Sequence, residues 1–345
     1  MTRLKGCYTA LITPFRADRE VDYEGLAKLV DFQYQEGITG LLACGTTGES
    51  PTLDWSEHNK VTERVAERGA GRGITIAGTG SNSTQEALEG TLHAAHAGAD
   101  AVLLVDPYYN GPSSLEIRKE YVEPLARAFP SLLVVPYVIP GRTGTQLLPQ
   151  DLACLAADFP NVRSVKEATG DLDNMRLTRR LCGSEYDILS GDDDKTLTMM
   201  TDPAIAASGV ISVTSNVAPR AVADLVRKAR EGDLEGARRI EAALKPLFDV
   251  ITVKTVEEGR FGPSACKARN PLATKTLMNI LGMPSGACRQ PLGKMTRAGL
   301  TLVLEAARRV HAANPEILGP IGSFFGVDVA KRLSDARVLE GLYYT

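Results

Sequence analysis

The sequence predicts an α/β fold: a (β/α)8 TIM barrel carrying a helical C-terminal subdomain. Three observations carry this expectation. Eight short β-prone runs recur between residues 7 and 214. Most of them are continuously apolar, as strands buried on both faces are. Segments with helical spacing and recognisable caps lie between them, and strand–helix alternation repeated eight times is the sequence form of this barrel.

The runs, in order, are CYTALIT (7–13), GLLACG (40–45), ITIAG (74–78), AVLLV (101–105), LLVVPY (132–137), VRSVK (162–166), YDILSG (186–191) and GVISVT (209–214). Asp22 stands before YEGLAKLVDFQYQEG as an N-cap. Ser83 does the same for TQEALEGTLHAAHAG, which closes on Gly98 as a C′ glycine, and Pro149 precedes QDLACLAADF. The competing fold is a doubly wound open sheet. It usually carries a Gly-rich phosphate turn after its first strand, and ITPFRAD has none. GTGSNST (78–84) is Gly-rich but lacks the G-x-G-x-x-G spacing. Beyond residue 218 the chain turns helical and Ala-rich. The expected units are a catalytic barrel at 1–220, a helical subdomain at 221–315 and a tail at 316–345. The tail is expected to hold one helix at 327–340, with Phe324, Phe325, Tyr343 and Tyr344 packing on the C-terminal helices rather than covering a subunit interface.

With 345 residues and 43% hydrophobic content the chain can bury a large core. A net charge of −3 leaves no basic footprint for nucleic acid, so anions must be bound by local Arg or Lys. The six cysteines form no C-x-x-C pair and have no clustered His, which fits a reducing compartment. No stretch approaches the roughly 18 apolar residues of a membrane span, and MTRLKGCYTALITPF has no long apolar region. A cytoplasmic protein is expected.

In a parallel barrel the C-terminal strand ends carry the chemistry. Here they bring Thr46 and Thr47, Tyr108 and Tyr109, Tyr137 with Arg142 beyond it, Lys166, Gly191 followed by Asp192–Asp194, and Ile211. A desolvated Lys166 would lose its preference for the ammonium form, attack a carbonyl and form an imine, an electron sink. The other reading pairs Lys166 with Glu167 or Asp171 in water. Tyr137, Tyr109 and Thr46 offer hydroxyls that can pass a proton without burying charge, or each simply packs and caps. Arg142 is either a fork for a carboxylate or half of a surface salt bridge. The adjacent aspartates 192–194 lack further ligands, so helix N-capping and dipole pairing explain them and no metal is assigned. His93 and His96 likewise lack further ligands.

Seven motifs in order strengthen the catalytic reading: GTTGES (45–50), GTGSNST (78–84), DPYYNGPS (106–113), IPGRTG (139–144), KEATGD (166–171), SGDDD (190–194) and GVISVTSNV (209–217). Together they resemble the dihydrodipicolinate synthase and N-acetylneuraminate lyase family of class I aldolases, to about residue 315. The resemblance implies a homotetramer and pyruvate held as an imine on Lys166, with no other cofactor. It implies Tyr137 as general acid/base, Thr46 and Tyr109 completing a proton relay, and Tyr109 reaching into the neighbouring subunit. Thr47 would hold the pyruvate carboxylate, Gly191 and Ile211 would line the pocket, and Arg142 would receive the second substrate's carboxylate. GTTGE with GRTG is more similar to the synthase branch, which condenses pyruvate with L-aspartate 4-semialdehyde to 4-hydroxy-tetrahydrodipicolinate in lysine and diaminopimelate biosynthesis. Another pyruvate-dependent aldolase or hydratase-aldolase, or a catalytically silent ligand-binding relative, is the alternative.

Two residues depart from the family pattern. Val138 stands where the family usually has Asn, and Pro136 precedes Tyr137, which places Pro136 at a strand end or bulge in expectation. Ser50, Trp55, His58, Asn82, Glu86 and Tyr108 match positions that bind a lysine effector in regulated relatives.

Overall fold

Each apolar run becomes a strand hydrogen-bonded in parallel to its sequence neighbours. The computed structural model describes residues 3–345. The strands are β1 (Gly6–Ala10), β2 (Gly40–Ala43), β3 (Ile74–Gly78), β4 (Ala101–Val105), β5 (Leu133–Val138), β6 (Ser164–Glu167), β7 (Asp187–Ser190) and β8 (Gly209–Ser212). They run in sequence order round a closed barrel, and pairing of β1 with β8, Tyr8 opposite Ile211, seals it. Helices fill the connections, giving the (β/α)8 barrel that the alternation predicts.

Continuous apolar strands are required because both faces are covered. Tyr8, Leu42, Ile76, Leu103, Val135, Leu189 and Ile211 fill the interior of the ring. The alternate residues, such as Val102, Val134, Val138 and Ile188, pack outward against the helices. The caps behave as the sequence indicates. Asp22 accepts a hydrogen bond from the Gly25 amide at 2.9 Å, Ser83 caps the helix Thr84–His96, and Pro149 opens the helix Pro149–Asp158.

Pro136 is neither at a strand end nor in a bulge. It lies inside β5, opposite Leu104 of β4. Proline cannot donate to a ladder, and pairing of β5 with β6 is confined to Tyr137–Lys166 and Val138–Glu167, immediately beyond it. Val138 is buried in the outward layer, on the face opposite Tyr137.

After β8 come the helices Pro219–Glu231 and Leu234–Phe248, and later Leu272–Leu281 and Arg297–Ala313. Between them stands an antiparallel hairpin that the helical reading did not anticipate: β9 (Thr252–Gly259) and β10 (Gly262–Arg269). Its cause is local. Thr252, Val253, Thr255 and Val256 are β-branched, and Gly259 and Gly262 bracket the turn. Gly262 has a φ of +108°, which L-residues avoid.

The tail also differs. Pro315–Phe325 is a helix of its own, despite Gly319, Pro320 and Gly322, and Val329–Ser334 is a short second one. Phe324 and Phe325 do not pack only on C-terminal helices. Their ring centroids lie 5.3 and 5.2 Å from that of Phe32, in the first helix of the barrel, Tyr23–Gln35. The Tyr343 hydroxyl accepts from Arg297 at 3.1 Å.

Candidate active site

Lys166 and Tyr137 are directly opposite each other on neighbouring strands, so both side chains leave the sheet on the same face, into the ring. Glu167, one residue on, turns outward. There it accepts from the Thr169 amide at 2.8 Å and from Asn174 Nδ2 at 3.0 Å. Asp171 caps the helix Leu172–Cys182. Neither acid forms an ion pair with Lys166. The lysine is 4% exposed, and its Nζ lies 4.2 Å from the centroid of the Tyr137 ring. Burial pulls the ammonium down to about 8, against the opposing charges of Asp192 and Asp193. Burial pushes the Tyr137 phenol up to about 12, moderated by Arg142 and by a hydrogen bond with Thr46. At neutral pH the phenol is therefore a proton donor, and the amine is within reach of its neutral form.

A cavity of about 420 Å³ opens above this pair, with Thr46, Thr47, Arg142, Gly191 and Asp192 in its walls. Thr46 and Thr47 lie in the tight loop after β2. Glu49 ends that loop with a φ of +58°, and its buried carboxylate anchors the turn. The Lys275 ammonium lies 2.6 Å from Glu49, and the Arg289 amide donates to the same carboxylate at 2.8 Å. Arg142 sits on the helical turn Pro140–Thr143, and burial lowers its pKa. It forms no ion pair among the described residues, so its guanidinium is not spent on a surface salt bridge.

Gly191 has a steric reason to be glycine. A Cβ there would lie 2.7 Å from Ala168 Cβ and 3.2 Å from Lys166 Cε. Gly191→Ala is expected to displace the amine and lower kcat by about tenfold to a hundredfold, with the barrel still folded. Steady-state kinetics beside a thermal melt checks this.

Asp193 and Asp194 stand in the first turn of the short helix Asp193–Lys195, as dipole pairing expects, but Asp192 at its N-cap position makes no side-chain cap. Asp193 is buried, and its carboxylate accepts from Ser212 Oγ and from the amides of Val213 and Thr214, at 2.9 and 3.2 Å for the amides. It thereby ties the exit of β8 to that of β7. Asp192 faces the cavity, and burial raises its carboxyl to about 6. Ile211 lies lower, within the interior layer, and Val213 is the residue of that segment in the cavity wall. Tyr109 is 86% exposed and is in the wall of neither this cavity nor the one beside it in the single chain.

A second cavity, of about 350 Å³, adjoins the first. Thr46, Tyr137 and Arg142 contribute to both, and Ser50, Trp55, His58, Glu86 and Tyr108 line the second. The Trp55 and His58 rings lie 4.8 Å apart. Burial holds the imidazole neutral, its pKa pulled down to about 4. His58 Nε2 meets the Gly78 carbonyl at 2.9 Å, and Nδ1 has no hydrogen-bond partner among the described residues. Asn82 accepts from the Tyr108 amide at 2.7 Å.

Comparison with known proteins bears on the family and the fold. A family model described as the dihydrodipicolinate synthetase family matches residues 3–308. The chain belongs to the dihydrodipicolinate synthetase family. It is 41% identical over 308 residues to the 4-hydroxy-tetrahydrodipicolinate synthase of Pelobacter propionicus, covering 88% of this chain and 98% of the relative. The dihydrodipicolinate synthase crystal structure from Aquifex aeolicus superposes with a TM-score of 0.81 at 39% identity, covering 91% of this chain and 99% of that one. The enzyme from Cyanidioschyzon merolae, solved with lysine bound, gives 0.80 at 33%, covering 89% and 98%.

Within this family member, residues of the hairpin region at the cavity escaped the sequence reading, Asn270 among them. Asn270 donates through Nδ2 to Thr47 Oγ1 at 2.9 Å, while its carbonyl accepts from Arg142 at 2.9 Å. It therefore bridges two proposed carboxylate-binding residues from the base of the hairpin. The only signal was the Asn-Pro dipeptide that closes a β-prone run.

Proposed function

We propose that this protein is a lyase of the class I aldolase type that condenses pyruvate with L-aspartate 4-semialdehyde to 4-hydroxy-tetrahydrodipicolinate. The observation that carries the reading is a buried, unpaired Lys166 against Tyr137 in a family whose curated relatives bear that activity's name. The neutral amine attacks the pyruvate carbonyl, and water leaves as the imine forms. Loss of a methyl proton gives an enamine, whose carbon bonds to the aldehyde carbon. The substrate's own amine then displaces Lys166 and closes the ring. Tyr137 moves protons to and from the carbinolamine through Thr46, with Tyr109 of a neighbouring subunit completing the relay. Thr47 holds the pyruvate carboxylate, Gly191 keeps the pocket open beside the amine, Ile211 supports its floor, and Arg142 takes the aldehyde's carboxylate. Val138 does not reach the cavity, so its departure from the family pattern lends no weight to a different aldehyde.

The test is incubation with pyruvate and borohydride, followed by peptide mass spectrometry. A reduced adduct on Lys166, with turnover of aspartate semialdehyde, is expected. Absence of the adduct overturns the imine, and turnover confined to another aldehyde overturns the substrate.

We infer further that the enzyme works in the cytoplasm as a homotetramer of barrels, without a metal. Among the described residues no helix is long and apolar enough to cross a membrane. The second cavity is read as a lysine effector site. The Trp55 indole covers the aliphatic stem, Glu86 meets the α-ammonium, and Ser50, His58, Asn82 and Tyr108 complete the wall. Millimolar lysine is expected to slow the wild-type enzyme, and Trp55→Ala to raise the inhibitory concentration about tenfold. An unaffected wild-type rate disposes of the site.

A further inference from the structure

The β9–β10 hairpin has two unlike faces. On one, Val253 is buried in the core and Thr255 Oγ1 lies 3.1 Å from Thr296 Oγ1, so this face rests on the C-terminal helices. On the other, the register sets Thr252 opposite Arg269 and Lys254 opposite Lys267. All four of these residues line the Lys166 cavity. Like charges directly opposite each other on antiparallel strands are destabilising, so the two lysines face one another at a cost that packing does not explain.

These cations are also uncompensated. No carboxylate oxygen of the described residues comes within 4.0 Å of a charged nitrogen of Lys254, Lys267, Arg269 or Arg142. Mutual repulsion, chiefly from Arg269, lowers the pKa of Lys267. Arg269 is held in place by donating to the Gly141 carbonyl at 3.1 Å, beside Arg142. Asp192 is the acid of this cavity wall. A chain of net charge −3 thus concentrates four cationic side chains at one opening. The proposed reaction uses Thr47 for one carboxylate and Arg142 for another, which leaves three cations without a role.

We propose that Lys254, Lys267 and Arg269 form an anion-binding subsite on the hairpin, outside Arg142, so that the cavity takes small dianions, one acidic group on Arg142 and the other on the hairpin. The inference rests on the reading of Lys166 as the pyruvate-binding amine. The ligand class is a short dicarboxylate or a phosphate, and it competes with the aldehyde rather than with pyruvate.

The experiment uses the full-length enzyme at constant ionic strength, which separates site binding from screening. Inhibition against the aldehyde is measured for succinate, inorganic phosphate and acetate, in the wild type and in the Lys254→Gln/Lys267→Gln double variant. Competition by at least one dianion is expected, with an inhibition constant at least tenfold below that of acetate. The double variant is expected to lose most of that tenfold preference. Whether succinate, phosphate or both compete names the acid that the subsite reads. Dianions no better than acetate, or equal constants in the two proteins, overturn the subsite. The borohydride adduct on wild-type Lys166 is measured alongside: its absence counts against the amine, and its presence with failed competition counts against the hairpin alone. A thermal melt of the variant confirms that it is folded, and Lys267→Gln alone, expected to give an intermediate constant, replaces the double variant if it is not.

Discussion

Lys166→Ala is expected to abolish the borohydride-trapped pyruvate adduct and to lower kcat by at least about a thousandfold, because the other amines of the cavity wall, Lys254 and Lys267, are exposed on the hairpin and Lys166 is the one buried against Tyr137. The pH dependence follows from the same burial. The rate of imine formation at low pyruvate should rise with pH and level off above about 8, where the amine has lost its proton. Burial also has a stability consequence. The native pKa lies below the unfolded value of 10.5, so below about 8 both states hold the proton and the full cost of burying the charge is felt. Between about 8 and 10.5 only the unfolded chain keeps the proton, and native stability rises with pH through that window. The cost at neutral pH is roughly 3 kcal/mol, from the fall of 10.5 to about 8. Lys166→Met is therefore expected to be inactive yet to melt higher than the wild type at pH 7, the difference shrinking as pH approaches 10.5. Calorimetry across that range checks the sign, and a variant that melts lower at pH 7 contradicts the buried charge.

The second large effect is expected at Lys275, far from the reacting atoms in sequence but bonded to Glu49 of the loop that carries Thr46 and Thr47. Its ammonium is buried with the Glu49 carboxylate and donates as well to the Thr13 carbonyl at 3.0 Å. Burial lowers its pKa, and Glu49 opposes that fall. Lys275→Ala strands the carboxylate without its counter-charge and should cost about 3–5 kcal/mol, whereas Lys275→Met with Glu49→Gln removes both charges and should recover most of the loss. Because Glu49 anchors the loop of Thr46 and Thr47, the single variant should also raise KM for pyruvate. Chemical denaturation and kinetics on the two proteins measure this. Equal stability of Lys275→Ala and wild type would mean that the pair does not anchor the loop.

The strands were readable because burial on both faces leaves an unbroken apolar signature, and because caps such as Asp22 and Ser83 act through their own neighbours. Lys166 stood out because a charge ending an apolar run has few explanations. What escaped depended on distance along the chain. Asn270 meets Thr47 across more than two hundred residues, and no local pattern records that contact. Asp193 looked like a cap because its actual partners, the amides at the exit of β8, lie twenty residues away. The hairpin was hidden differently. Its alternation and turn glycines are local, but they sit among Ala-rich helices that set the expectation for the region. The tail helix Pro315–Phe325 was masked by its glycines and internal proline, whose cost is met by burying Ile317, Leu318 and Ile321.

The contact of Phe324 and Phe325 with Phe32 joins the last tenth of the chain to the first. Arg332 donates to the carbonyls of Asn279 and Ile280, each at 2.7 Å, and the strand-like end at Tyr343 bridges to Met295. Ending the chain at Asn314, before the helix Pro315–Phe325, would thus remove no dispensable stub. It would pull a rivet that fastens the first outer helix of the ring to the structure built after it, so wall and annex share one cooperative fate.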